Sequence, residues 1–122
     1  MDAEKKELWA TALESGRFKQ GKGKLEAGGE HCCLGVLCRV AIENGLDIRV
    51  EPYEHSIETG EKPTAFDDAT NYPPESVEKW AGFDTDNPMV EVEELGAVSL
   101  VSLNDTYGYT FEEIAKLIRE QL

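Results

Sequence analysis

Apolar residues recur at helical spacing near both ends of the chain and in its middle, and at alternating spacing between them. Leu8, Trp9, Ala12 and Leu13 make the first stripe. They predict a helix from Asp2 to Glu14, with Asp2 placed to cap it, Gly16 to end it and Trp9 as a core anchor. Cys33 to Asn44 is apolar almost all round, with only Arg39, Glu43 and Asn44 polar. That pattern belongs to a helix in the centre of a domain, stopped by Gly45. Pro73 to Ala81 opens with proline and closes before Gly82, as a short helix does. Thr110-Phe111-Glu112-Glu113 spells a capping box, and Ile114, Leu117, Ile118 and Leu122 share one face of the helix it starts.

The strand signals are shorter. Gly28-Gly29 predicts a turn between Lys24–Glu26 and Glu30–Cys32, with Phe18 opening a further short strand. Asp47 to Tyr53 alternates as a half-buried strand does, and Thr64–Phe66 is placed to pair back onto Ile48–Val50. Residues 54–73 read as a surface excursion. Met89 to Glu93 alternates again. Val98 to Leu103 fits either period and is assigned to a short helix ending at Asn104-Asp105. The expectation is one α+β domain over residues 1–122, with a small antiparallel sheet packed on a central buried helix and amphipathic helices at both ends.

Charge changes this picture. The chain of 122 residues carries a net charge of −13. Residues 1–24 hold six basic and four acidic side chains; residues 25–122 hold six and 21. A body this negative repels phosphate backbones, which argues against nucleic acid as a partner. The acidity serves solubility, or it fits the basic groove of a nucleic-acid-binding protein; the spacing of the acids does not choose the second. The longest apolar run is too short to span a membrane, and the start lacks the basic and apolar stretches of a signal peptide, so the expected compartment is the cytoplasm.

Two segments carry candidate chemistry. Cys32, Cys33 and Cys38 lie within seven residues, next to His31. Thiolates and imidazole suit zinc, yet adjacent cysteines on a strand face opposite ways and no second pair at knuckle spacing exists. The alternatives are three small buried hydrophobes at a strand–helix junction, or a nucleophile at Cys33, near a helix N-terminus, with His31 or His55 as base. The second segment is basic and glycine-punctuated: Arg17, Lys19, Gln20, Lys22 and Lys24 would hold an anionic ligand or dock on the acidic body. It lacks the phosphate-loop order of glycine, lysine and serine or threonine. Asp84-Thr85-Asp86-Asn87 lacks the remaining offsets of a calcium loop. No complete catalytic set is legible, and no cofactor is called for.

Several strings occur together: Trp9 to Gly21, Cys32-Cys33-Leu34-Gly35-Val36-Leu37-Cys38, Pro73-Pro74 with Trp80-Ala81-Gly82, Leu103-Asn104-Asp105, and Thr110 to Ala115. Together they resemble a family of small bacteriophage and prophage proteins. The resemblance implies a viral accessory context in the host cell and no particular activity. The expected function is therefore non-enzymatic binding of a host or phage protein. The alternatives are a small-ligand or metal-binding protein centred on Gly21–Cys38, and a cysteine-dependent enzyme.

Overall fold

The computed structural model describes residues 1–53 and 62–122. Helix α1 (Ala3–Glu14) starts where the Asp2 carboxylate accepts from the Lys5 amide, and Gly16 leaves it at a left-handed φ of 79°. Three short strands follow: β1 (Lys19–Gln20), β2 (Glu26–Ala27) and β3 (Glu30–His31). The β2–β3 pair is the expected hairpin, with Glu26 opposite His31. On its other edge β3 takes β1 in parallel, so Gln20 lies beside His31.

Helix α2 (Cys33–Glu43) is the centre of the molecule. Every residue from Cys33 to Cys38 is buried. An all-round apolar helix needs a cover on every side. Here α1, β3, α3 (Glu75–Ala81) and α4 (Leu100–Asp105) supply it. Gly35 is the reason β2 can approach so closely: a Cβ at this position would lie 1.7 Å from the Leu25 carbonyl oxygen. The Trp9 indole, fully buried, donates to the Cys33 carbonyl at 2.9 Å, so its polar end is satisfied inside the core.

The α+β class holds, and the strands among the described residues are distributed over three small sheets. β4 (Val50–Pro52) pairs with β5 (Thr64–Phe66), with Val50 opposite Phe66. The pairing lies two residues beyond the expected register. Ile48 packs partly against the core but precedes the strand, whereas β4 itself is exposed throughout, so Val50 does not continue the expected half-buried alternation. β6 (Met89–Val92) and β7 (Gly96–Ser99) form the third pair. The ambiguous Val98–Leu103 stretch is divided: Val98 and Ser99 end a strand, and the Ser99 hydroxyl then caps α4 by accepting from the Ser102 amide. Helix α5 (Phe111–Gln121) starts with both halves of the capping box formed and packs along α1.

Candidate functional site

The cysteine segment becomes core. All three thiols are buried. Burial pushes the Cys32 thiol up to about 11, despite the amides of Gly35 and Leu34 beside it. Burial likewise raises Cys33 well above its ordinary value and raises Cys38. Thiols held in this state are protonated near neutral pH, and the thiolate is the nucleophile and metal ligand. Cys33 does start a helix, but desolvation outweighs the local amides. Among the described residues no three His, Cys, Asp or Glu side chains come together to hold a metal, so His31, Cys32, Cys33 and Cys38 are not gathered into one ligand set. His55 lies outside the described residues.

His31 belongs to a different constellation. The Glu26 carboxylate accepts from His31 Nε2 at 2.7 Å, from Arg39 Nε and Nη2 at 2.8 and 2.7 Å, and from the Thr64 hydroxyl at 2.7 Å. Burial alone would raise this carboxyl. The hydrogen bonds from His31, Arg39 and Thr64 outweigh it and hold Glu26 well below the usual carboxylate range. Arg39 also lies over the Phe66 ring at 5.2 Å, and Phe18 meets the His31 ring edge-on at 5.1 Å. One carboxylate thus ties β2, β3, α2 and β5 together. Its four hydrogen bonds leave it no free lone pair for a ligand, which makes the knot a structural junction. His31 Nδ1 is buried with no partner among the described residues.

The basic segment docks on the molecule itself. Arg17 pairs with Glu43 and Lys19 with Glu30 at 3.3 Å. Lys24 donates to the Asn71 side chain at 3.0 Å. Gln20 is held most firmly: its amide nitrogen donates to Asn104 Oδ1 at 2.9 Å and to the Tyr109 carbonyl at 2.8 Å. Asn104, fully buried, in turn donates to the Gly21 carbonyl at 2.8 Å and to Asp105. Lys22 lines a shallow hollow of about 200 Å³ with Gly21, Lys24, Ala27 and Glu30. That is smaller than the clefts of roughly 300–1,000 Å³ that ligands occupy.

The larger feature lies on the other side of Arg17. An open groove of about 560 Å³ runs between α1 and α2. Leu8, Ala12 and Val40 give it an apolar floor; Glu4, Glu7 and Glu43 stand along it, and Arg17 closes one end. Leu8 is 36% exposed, although it belongs to the first apolar stripe. The stripe contains two rows, each at i, i+4. Trp9 and Leu13 enter the core, while Leu8 and Ala12 face the groove. Two apolar rows offset by one residue were the signal in the sequence that α1 serves two surfaces.

A small α+β domain with an inert, buried thiol segment and an open interhelical groove is the class these features define. The chain belongs to the family described as a domain of unknown function, DUF8296, whose model matches residues 1–122. No curated protein and no solved structure matches it.

Proposed function

We propose that this chain is a non-enzymatic phage accessory protein that acts in the host cytoplasm by binding a host or phage protein, with the α1–α2 groove as the docking face. The observation that carries this reading is Leu8, 36% exposed over Ala12 and Val40 in a groove between two helices, and among the described residues the one large apolar side chain of a helix left exposed. Covering apolar surface is favourable, and a concave groove lets a partner cover Leu8 and its floor together. The acidic body and the resemblance to phage proteins support the same reading. No described helix is long and apolar enough to cross a membrane, which is compatible with action in the cytoplasm.

The test is capture from host lysate by the tagged chain and by its Leu8→Glu variant, followed by replacement of Leu8 with a photocrosslinking residue. The reading expects one protein enriched by the native chain, lost with Leu8→Glu and crosslinked at position 8. Equal capture by both chains, or turnover of a substrate that Leu8→Glu leaves intact, would overturn it.

A further inference from the structure

We infer that the occupant of the α1–α2 groove is an amphipathic helix of the partner, about three turns long, with leucine and alanine on one face and lysine or arginine on its flanks. This rests on the reading of the groove as a protein-docking face and names what docks there.

The shape argues for a helix. The groove is lined from α1 by Glu4, Glu7, Leu8, Thr11, Ala12 and Ser15. These positions are i, i+3, i+4, i+7, i+8 and i+11, one continuous face of α1 from its first turn to its cap. At 1.5 Å per residue that face is about 16 Å long. A helix laid along it would meet side chains at the same recurrence, which is how amphipathic helices enter grooves between two helices. Ala12 and Thr11 are small enough to let a partner backbone approach, and Leu8 is the one large side chain left to be covered.

The charge argues for the flanks. Three carboxylates, Glu4, Glu7 and Glu43, line the groove, and two of them are paired with guanidinium groups. Arg17 pairs with Glu43 at one end, and Arg119 reaches Glu7 from α5. Lys5 is turned away, over the Trp80 ring at 4.8 Å. Glu4 therefore leaves the open end negative, on a molecule with a net charge of −13. The same charge opposes a second copy of this chain as occupant, because like potentials repel across an interface.

The probes are a fluorescein-labelled helical peptide with leucine and alanine on one face and lysine on the flanks, and the same peptide with glutamate replacing every lysine. Anisotropy measures binding to the full chain, and amide shifts in a ¹⁵N-labelled sample locate it. The lysine peptide is expected to bind saturably, shifting Leu8, Ala12 and Val40, and at least about tenfold more tightly than the glutamate peptide. Leu8→Glu should weaken it at least about tenfold, and Glu4→Lys about threefold, with circular dichroism unchanged in both. Equal binding of the two peptides, binding that survives Leu8→Glu, or no binding of either would overturn the inference. So would a sedimentation profile showing a dimer that Leu8→Glu disperses. A protein crosslinked at position 8 through an acidic or extended segment would overturn the named occupant and leave the docking reading standing. The absence of any protein crosslink there would overturn both.

Discussion

The junction around α2 and the groove beside it share a helix and differ in almost everything else. At the junction nearly every polar group is used: Glu26 accepts four hydrogen bonds, Gln20 and Asn104 are locked to each other, and the Trp9 indole is satisfied, with His31 Nδ1 the exception. In the groove, Leu8 stays half-exposed over Ala12 and Val40. A region that has used nearly all its own bonds has little left for a ligand, whereas uncovered apolar surface gains by being covered. The comparison teaches that residue types associated with chemistry can be consumed by the fold, and that a plain helix face can be what stays open.

The comparison is broken most severely by striking the junction. Gly35→Ala forces a methyl group into the Leu25 carbonyl, 1.7 Å from the ideal Cβ position. It should cost about 3 kcal/mol or more, read as a lower urea midpoint with unchanged slope. A loss below about 1 kcal/mol would mean that the β2–α2 approach is looser than described.

Glu26→Gln comes next, at about 2 kcal/mol, because Arg39 and His31 lose a charged acceptor in a mostly buried site. It also sharpens the account through pH. The folded carboxyl is held below its ordinary range, so the unfolded chain takes up the proton first as pH falls. Stability from this group is complete above the ordinary carboxylate range of about 4.3 and declines progressively below it. Between about pH 5 and pH 3 the native chain should therefore lose more stability than Glu26→Gln, whose curve is flatter. Parallel curves in a urea series across that range would contradict the knot.

In the groove the expected effect on folding is the smallest. Leu8→Glu should change unfolding free energy by no more than about 0.5 kcal/mol, since the residue is 36% exposed. A loss of about 2 kcal/mol would show that Leu8 belongs to the core and not to a surface.

Much of this architecture was legible from local chemistry. The Asp2 cap, the Thr110–Glu113 capping box, the Gly28-Gly29 hairpin and the apolar α2 all follow from residues close in sequence, and all are present. What was not legible depends on distant partners. The parallel pairing of β1 with β3 is accompanied by Gln20 reaching Asn104, 84 residues away, and Glu26 finds Thr64 38 residues on. Val98–Leu103 fits both periods because it is both strand and helix, with the change made at Ser99. The expected docking of the basic segment on the acidic body has specific partners in Glu43 and Glu30. The pull toward His31, Cys32, Cys33 and Cys38 as a site came from residue type, clustering and the helix start at Cys33, and burial opposes a thiolate there. The groove was hidden because Leu8, beside Trp9, reads as one stripe until the neighbouring helix shows which row it covers.

The central claim is that the groove, and not the cysteine segment, carries the interaction. The most direct measurement is the affinity of the recovered protein partner for the native chain, for Leu8→Glu and for Cys32→Ala. The account predicts at least about a tenfold loss for Leu8→Glu, or 1.4 kcal/mol, and a change within about twofold for Cys32→Ala. A loss confined to Cys32→Ala, with Leu8→Glu binding as the native chain does, would contradict it.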